Sequence, residues 1–371
     1  DIYSQPWLEQ MALHEYRHIV QISQFYRGFT KYMQIPFGQI AVGSAIATFI
    51  PSWVIEGDAV ISETMYSNSG RGRLPEFSAP LKAQLLEKKI FSYNKAIFGS
   101  YKDFVPDIYT LGYYLTGYTK IKYGNEIFDK VFSYTARYPY IFIPFATSVK
   151  KYTGKSPLKL YKETIGEINN QFSKEINTDT SDYKLLNTSQ SVVYTNYYSP
   201  KPFKNKTIAV KSSLNDITRI VSIDSNGFEK ILFTPGYMTD MSISNTNDKI
   251  LWAEYEPDIR WGLQSYSVIK VYDLNKKKIK KLTNKTRYFS PAYNKTGDKI
   301  ACIENNLSGN TSLIIIDAFT GNAIRKINFE STDVIAYPSW NNDGDKIIAV
   351  ITTNSGKSLI EYNLITDETR I

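Results

Sequence analysis

The second half of the chain repeats a short pattern at long intervals. Tetrapeptides that end in isoleucine lie at 247–250, 297–300 and 344–347, with a degenerate first copy at 205–208. The steps between their isoleucines are 42, 50 and 47 residues. A second marker, an apolar residue followed by Asp or Asn at the close of a strand-like run, keeps the same phase at Ile223, Tyr272, Ile316 and Tyr362. A period of this length is typical of repeated small β-sheets.

Each repeating unit holds about four short β-type runs separated by turn residues, which is the pattern of propeller blades. We therefore predict an all-β propeller over 177–371, with three to four blades counted, and keep a β-sandwich with coincidental spacing as the alternative. Closed propellers usually have at least about four blades. Because the last unit reads as unfinished at Ile371 and the chain opens at Asp1 without an initiator methionine, we expect both ends to be cut from a longer protein.

The first half has helical periodicity instead. Since 371 residues exceed what one hydrophobic core usually organises, we expect a separate, mainly α domain over 1–176, with a polar linker at 177–182. Between 5 and 28, apolar residues recur at steps of three and four, which predicts an amphipathic helix. We expect Glu15 and His18 on its inward stripe, with His14 beside it.

Both histidines of the chain lie in this helix, in the sequence His14-Glu15-Tyr16-Arg17-His18. Residues four apart project from one helix face, so both imidazoles can bind one metal ion while Glu15 reaches the water beside it. The H-E-x-x-H pattern therefore predicts a zinc site with His14 and His18 as ligands. The alternative is an ordinary helix that carries a chance pattern.

Zinc in a catalytic site takes three protein ligands and keeps a position for water. Because the chain has no further histidine, the third ligand must be a carboxylate or come from outside the chain. Read as a helix, residues 53–63 (WVIEGDAVISE) place Glu56 and Glu63 on one face and Asp58 elsewhere. We predict Glu56 as the third ligand and Glu63 as a residue that orients one of the histidines. A plain helix-start carboxylate is the alternative for Glu56.

H-E-x-x-H followed by W-x-x-E-G-x-A-x-x-x-E resembles the gluzincin metallopeptidases, a peptidase-MA-like group that includes the zinc aminopeptidases. The resemblance implies His14, His18 and Glu56 as zinc ligands and Glu15 as general base. The 38 positions from His18 to Glu56 exceed the usual spacing of about twenty and imply an insertion or a more distant subfamily. The substrate-aligning segments of gluzincins precede this motif, so exopeptidase and endopeptidase activity both stay open.

Tyr109 begins a Y-x-x-G pattern at the start of a helical segment over 107–124. The pattern resembles the place where gluzincin aminopeptidases carry a tyrosine that stabilises the charge developing on the scissile carbonyl oxygen. The resemblance implies that role for Tyr109. Core packing is the alternative, because the chain has 29 tyrosines.

The segment 338–347 (PSWNNDGDKI) resembles the blade pattern of TolB-type propellers. That resemblance implies a bacterial periplasmic or cell-surface protein, with a protein partner at the propeller. The combined prediction is a zincin-like peptidase domain that acts on a peptide or protein substrate and is followed by a propeller. The alternatives are a catalytically inactive zincin-like scaffold and a metal-dependent hydrolase of a non-peptide amide.

Charge patterning bears on two other classes of partner. The net charge of +8 is scattered, and its densest run, 275–281, lies between strand-like segments, so we expect a solvated hairpin and no nucleic-acid partner. Residues 32–55 carry no charge over a length that could span a bilayer. A crossing would separate His18 from Glu56, so we expect a buried or site-covering excursion there, with a membrane-surface hairpin as the alternative.

Overall fold

The computed structural model describes residues 7–67, 70–175, 186–187, 192–246, 248–329, 334–353 and 356–371. Contacts divide the chain into two compact units, Gln5–Ser181 and, in the main, Asp182–Ile371. The described part of the first unit is helical and that of the second is all-β, as the sequence predicts. The expected boundary at 176–177 and the linker at 177–182 lie outside the described residues.

The helical unit is built from ten described α-helices and one 3₁₀ turn at Arg71–Arg73. The helices are α1 (Trp7–Ser23), α2 (Gly28–Phe37), α3 (Gln39–Phe49), α4 (Ser52–Met65), α5 (Pro75–Glu87), α6 (Tyr93–Phe98), α7 (Ile108–Tyr123), α8 (Ile127–Arg137), α9 (Pro144–Thr153) and α10 (Pro157–Lys174). Asp107 caps α7 by accepting a hydrogen bond from the Thr110 N–H at 2.8 Å, which confirms the predicted helix start.

Gly28 begins a new helix instead of ending the predicted one. Helix α1 ends at Ser23, and Gly28 opens α2 with φ of +53°. A Cβ atom at Gly28 would lie 2.5 Å from the Cα of Arg137 in α8, so a side chain has no room there. The helix predicted over 5–28 is therefore too long. The chain turns after Ser23, and Gly28 begins the helix that packs against α8.

Helix α1 turns its polar side inward. Its buried residues in the described part include Gln10, His14 and Gln21, whereas Ile19 and Glu15 are exposed. The expectation that Glu15 lies on the inward stripe is therefore wrong, and His14 is the residue that is buried. The physical reason is that carboxylates of α4 compensate the inward polar groups, which an isolated amphipathic pattern does not reveal.

Helix α4 lies at the centre of the unit and buries ten of its fourteen residues. It crosses α7 at very short range through Gly57 and Gly112. A Cβ atom at Gly57 would lie 2.1 Å from the carbonyl carbon of Gly112, and a Cβ atom at Gly112 would lie 2.1 Å from the carbonyl oxygen of Trp53. Glycine is required at both positions because the two backbones touch. This contact fixes the segment that carries Glu56 against the segment that carries Tyr109.

The uncharged stretch 32–55, expected to be buried or to cover the site, is only partly buried. Tyr32, Ile35, Phe37 and Ile40 are exposed, whereas the buried residues of the stretch begin at Val42. Within the described part of the chain, no single helix is long and apolar enough to cross a membrane. Helices α3 and α4 pass that test only as a pair, and the pair is bent by 101°.

The second unit contains four antiparallel sheets of four strands each. The first sheet has β1 (Thr195–Phe203), β2 (Lys206–Ser213), β3 (Asp216–Asp224) and β4 (Glu229–Phe233), and the second has β5 (Ser244–Asn245), β6 (Lys249–Pro257), β7 (Ser265–Asp273) and β8 (Lys278–Lys281). The third has β9 (Tyr288–Tyr293), β10 (Lys299–Asn305), β11 (Thr311–Asp317) and β12 (Ala323–Asn328), and the fourth has β13 (Val334–Trp340), β14 (Lys346–Thr353), β15 (Gly356–Asn363) and β16 (Thr369–Arg370). Strands follow one another in sequence order, which is the meander of a propeller blade.

The two sequence markers turn out to be cross-strand neighbours. Ile250 pairs with Tyr272, Ile300 with Ile316, and Ile347 with Tyr362, in each case between the second and third strands of a sheet. The repeat prediction is confirmed, with four blades. The fourth sheet contains a fourth strand, β16, in contrast to the expectation of an unfinished unit. Residues 275–281 form the β7–β8 hairpin, as expected.

Candidate metal centre

Three side chains from α1 and α4 converge on one point. His14 and His18 lie one turn apart on α1, and Glu56 lies in the second turn of α4. The Glu56 Oε2 atom is 3.2 Å from His14 Nε2 and 3.6 Å from His18 Nε2. One potential ligand atom from each residue lies within 4.8 Å of the other two. The structure thus brings together the three residues that the sequence selects.

Glu63 lies two turns further along α4 and contacts the other nitrogen of His14. Its Oε2 atom is 3.1 Å from His14 Nδ1. Arg71 binds the same carboxylate, with Nε 2.8 Å from Oε1 and Nη2 2.9 Å from Oε2, and Gln10 donates to Oε1 at 3.3 Å. The Nη2 atom of Arg71 also lies 3.0 Å from His14 Nδ1. When Nδ1 of His14 carries a proton, the buried Glu63 carboxylate is its acceptor, because a guanidinium can only donate.

His18 has a different partner, which sequence reasoning did not find. Its Nδ1 atom is 2.9 Å from Oε1 of Gln21, one turn further along α1. The Gln21 amide nitrogen donates at 3.0 Å to the Ile55 carbonyl and at 3.0 Å to Oδ2 of Asp58. This orientation leaves Oε1 as the acceptor, so Nδ1 of His18 carries the proton and Nε2 faces Glu56. The i to i+3 spacing of His18 and Gln21 was the available signal.

Asp58 anchors this second network away from the ligand atoms. It is fully buried and forms ion pairs with Arg17, at 2.6 Å from Nε, and with Lys120. Burial opposes ionisation, but the charges of Lys120 and Arg17 hold the pKa of the Asp58 carboxyl below its usual range. The prediction that Asp58 points away from Glu56 and Glu63 agrees with this geometry.

The pKa values of the cluster are shifted because two imidazoles lie close to carboxylates. Burial opposes the charged form of His14, yet hydrogen bonds to Glu56 and Glu63 raise its pKa from 6.5 to about 9. Burial likewise opposes ionisation of Glu56, and the hydrogen bonds from His14 and His18 lower its pKa to about 2. The pKa of His18 is raised chiefly by its hydrogen bond to Glu56. Without a metal ion, the imidazolium charges therefore balance the carboxylates.

The donor set fits a zinc ion. Both histidines present Nε2 to the common point, because Glu63 and Gln21 accept from the two Nδ1 atoms. Two imidazole nitrogens and one carboxylate oxygen form a catalytic zinc set, in which a fourth position is kept for water. A divalent cation would supply positive charge beside the carboxylates in place of imidazole protons, so binding of the ion is coupled to release of protons.

Glu15 and Tyr109 lie at the edge of this cluster. Glu15 is exposed on α1 and directly follows His14 in sequence. The Tyr109 ring centroid is 6.2 Å from that of His14, and the Arg71 guanidinium lies 4.8 Å from the Tyr109 ring centroid. Burial and the nearby Glu56 carboxylate raise the pKa of Tyr109, with a smaller effect of Glu15 in the same direction. The phenol therefore keeps its proton and can act as a hydrogen-bond donor.

Comparison with known proteins gives matches among solved structures alone. No protein-family profile matches the chain, and no curated protein does. TolB from Acinetobacter baumannii is 17% identical with a TM-score of 0.39, over 47% of this chain and 43% of that one. Oligogalacturonate lyase in complex with manganese is 13% identical with a TM-score of 0.38, over 47% of this chain and 52% of that one.

A third similar structure is the β-propeller domain of the Trilobed protease from Pyrococcus furiosus. It is 17% identical with a TM-score of 0.35, over 48% of this chain and 57% of that one. The chain thus spans about half the length of these solved chains, and likenesses at this level assign neither a family nor an activity. The strand order of the second unit identifies it, by its own topology, as a β-propeller of four blades.

Proposed function

We propose that this chain is a zinc-dependent peptidase of gluzincin type. The observation that supports the proposal is the convergence of His14, His18 and Glu56, whose ligand atoms lie within 4.8 Å of one another. A chance H-E-x-x-H pattern has no reason to meet a carboxylate from a helix 38 positions away in sequence. Nor would chance explain why the Nδ1 atoms of both histidines lie within hydrogen-bond distance of side-chain oxygens, those of Glu63 and Gln21.

In this proposal His14, His18 and Glu56 hold the zinc ion. The bound ion supplies a positive charge that lowers the pKa of water toward about 7 and polarises the peptide carbonyl. Glu15, exposed beside the histidines, takes the proton of the attacking water and passes it to the leaving amine. Glu63 and Gln21 keep the imidazoles in the tautomer that presents Nε2.

Tyr109 is proposed to donate a hydrogen bond to the carbonyl oxygen as negative charge develops on it. Its ring lies beside His14 and is packed against the Arg71 guanidinium. Arg71 in turn is held by Glu63, so the tyrosine and the histidine are positioned by the same buried carboxylate. This linkage places the donor and the metal ligands in one connected network.

The test separates metal binding from chemistry with two single variants of the full chain. His18→Gln removes a ligand and is expected to lose both the zinc, measured by elemental analysis, and cleavage of a mixed peptide library. Glu15→Gln removes the base and is expected to keep about one zinc per chain while losing cleavage. Glu87→Gln, at an exposed position of α5, makes the same chemical change as Glu15→Gln and is expected to match the wild type in both measurements.

Each outcome decides between the candidate functions. A folded wild-type chain that takes up no zinc contradicts the peptidase proposal at its first step. Zinc uptake without cleavage of any peptide favours the inactive zincin-like scaffold. Zinc uptake with hydrolysis of small amides but not of peptides favours the non-peptide amidase.

The β unit supports a second part of the proposal, a binding site for protein substrates or partners. The β6–β7 loop at 258–264 exposes Ile259, Trp261 and Leu263, three large apolar side chains. The loop is held in one shape, since the Asp258 carboxylate accepts from the Trp261 N–H at 3.0 Å and from the Tyr266 hydroxyl at 2.8 Å. Exposed aromatic anchors on an ordered loop are typical of protein contacts.

The double variant Trp261→Ser with Leu263→Ser tests this second part. We expect slower cleavage of an unfolded protein such as reduced casein, with cleavage of short peptides unchanged, because the loop lies outside the metal centre. Equal rates on casein for the variant and the wild type would contradict a substrate-binding role for the loop. The location that fits this reading, a bacterial periplasm or cell surface, belongs to the same proposal.

A further inference from the structure

Two neighbouring helices of the first unit leave their apolar side chains in solvent. Helices α2 and α3, whose residues are all described, bury Thr30 and Val42 respectively. Their large apolar residues point outward instead: Ile35 is 81% exposed and Ile40 77%. Leaving so much apolar area in water is costly for a folded protein, and exposed apolar area of this extent marks an interaction surface.

A loop after α8 extends the same surface. Residues 138–143 follow α8, and Phe142 is 96% exposed. The loop adjoins α2, because the Phe29 and Tyr140 rings meet edge to face at 5.8 Å and the Thr30 hydroxyl donates to the Ala136 carbonyl at 2.9 Å. We call the exposed set the apolar face; its members are Phe29, Tyr32, Ile35, Phe37, Ile40, Tyr140 and Phe142.

A groove runs through the apolar face between α2 and α3. It has a volume of about 390 Å³ and is lined by Met33, Phe37, Ala41, Ala45 and Pro139, among other residues. Almost all of its lining is apolar, so a ligand that fills it gains by burial and not by hydrogen bonding. An acyl chain or an apolar side chain has the chemistry that this groove accepts.

The sequence segments that supply the apolar face carry only positive charges. Residues 24–55 and 130–151, which supply the face and its surroundings, contain six lysines and arginines and no aspartate or glutamate. A second cavity of about 390 Å³ lies beside α8, between the segment that joins α1 to α2 and helix α9. Its lining includes four basic residues, Arg27, Lys130, Arg137 and Lys151.

This basic cavity adjoins the apolar face directly. Tyr138 lines the cavity and its ring lies 6.1 Å from that of Tyr140 in the face. Two acidic residues, Glu126 and Asp129, also line the cavity, and Asp129 is paired with Arg17 at 3.4 Å. The cavity therefore keeps an excess of positive charge beside an apolar, aromatic surface. That combination matches the boundary between lipid headgroups and acyl chains.

We propose that the helical unit binds the surface of a bilayer that contains anionic phospholipids. The apolar face enters the headgroup–acyl boundary, and the basic residues of the adjoining cavity contact the headgroup phosphates. A second copy of the chain is the weaker occupant, because isologous pairing of the face would bring two identical basic rims together. The proposal concerns lipid and is independent of zinc and peptidase activity.

The experiment is flotation of the full chain with vesicles on a density gradient. The wild-type protein is expected to rise with vesicles of phosphatidylcholine mixed with phosphatidylglycerol, and much less with phosphatidylcholine alone. The double variant Ile35→Asp with Phe142→Asp is expected to lower the partition coefficient at least about tenfold. Both side chains are largely in solvent, so the substitutions leave the folded unit intact.

Matched controls use the same changes elsewhere on the unit. Phe98→Asp with Ile121→Asp alters two side chains that are 85% and 88% exposed but lie outside the apolar face, and is expected to float like the wild type. Lys130→Gln with Lys151→Gln is expected to reduce partition about tenfold at low salt. Lys88→Gln with Lys89→Gln, two exposed lysines outside the basic cavity, is expected to have no effect.

Three outcomes would overturn the proposal. The first is wild-type protein that stays at the bottom of the gradient with both kinds of vesicle. The second is equal flotation of the wild type and the Ile35→Asp, Phe142→Asp variant. The third is a dimer in sedimentation velocity that this variant converts to monomer, since a second copy would then cover the face. Flotation of Glu15→Gln like the wild type would show that lipid binding and peptidase activity are separate properties.

Discussion

His14 and Glu63 are joined by a contact of 3.1 Å between Nδ1 and Oε2, and the opposite nitrogen of the same ring faces Glu56 at 3.2 Å. One imidazole is thus held between two carboxylates of α4. The buried carboxylate, Glu63, orients the ring. The partly exposed one, Glu56, lies beside Nε2 at the proposed metal position. The two carboxylates differ in that Glu63 forms an ion pair with Arg71.

Glu63→Gln is expected to weaken zinc affinity by about 10- to 100-fold without unfolding the protein. The amide keeps the shape of the side chain but removes the negative charge that fixes the Nδ1–H tautomer and raises the basicity of Nε2. A competition titration with a chromophoric zinc chelator measures the change. Unchanged affinity would mean that Glu63 serves packing with Arg71 and does not orient His14; Glu87→Gln is the matched control.

Tyr109→Phe is expected to lower kcat on peptide substrates by about 10²- to 10³-fold while leaving zinc content at the wild-type level. The loss is placed in kcat because the hydroxyl bonds the carbonyl oxygen most strongly when charge has developed on it. Steady-state kinetics with one cleavable peptide measures this. Tyr123→Phe, at the far end of α7, is the control, and equal kcat for both variants would assign Tyr109 to packing against Arg71.

Gly57→Ala is expected to destabilise the helical unit by about 3 kcal/mol and to lower its melting temperature by about 5–10 °C. The new methyl group would lie 2.1 Å from backbone atoms of Gly112, which cannot move aside without separating two helices. Gly166→Ala in α10 has no atom within 4 Å of the added Cβ, and it is expected to stabilise the unit slightly. Thermal unfolding followed by far-ultraviolet circular dichroism compares the two.

The metal-depleted protein is expected to lose stability as pH rises from 6.5 to about 9, by roughly 1–3 kcal/mol. The folded state raises the pKa of His14, so its stabilising contribution is full below 6.5 and disappears as pH passes about 9. The pKa values of Glu56 and Glu63 are lowered to about 2, so their contribution is full above 4.5 and is lost toward about 2.

Urea unfolding in the presence of a chelator measures this dependence. His14→Gln removes the larger of the two histidine contributions, and its midpoint is expected to change less between 6.5 and about 9 than that of the wild type. Identical pH profiles for the two proteins would contradict the coupling of His14 to its carboxylate partners. Urea is suited to the purpose because it adds no ionic strength to screen these pairs.

The blades could be predicted because their signal is local and repeated. Ile250 and Tyr272 belong to different markers in sequence, and they pair directly across two strands of one sheet. Each blade pairs consecutive strands through short turns, so the sequence period and the structural period are the same quantity. The metal ligands could be proposed for a related reason, since His14 and His18 share a helix face by their spacing alone.

What escaped prediction depends on contacts between distant segments. Glu15 was expected inward, but the face of α1 is chosen by carboxylates of α4 that no local pattern of α1 contains. Arg71 reaches Glu63 from a 3₁₀ turn whose sequence, Arg-Gly-Arg, carries no sign of that role. The exposure of Ile35 and Ile40 was left undecided, because an uncharged stretch fits burial in a protein core as well as contact with another apolar surface.

The contact of Gly57 with Gly112 determines how the site can vary. Glu56 precedes one glycine and Tyr109 lies one turn before the other. The contact of the two glycines therefore sets the distance between the proposed metal ligand and the proposed hydroxyl donor. Neither helix can move closer to the other to widen the space beside Glu56. In the proposed peptidase, the elements that border the site, α1 and the turn at Arg71–Arg73, are therefore the ones expected to determine which substrate fits.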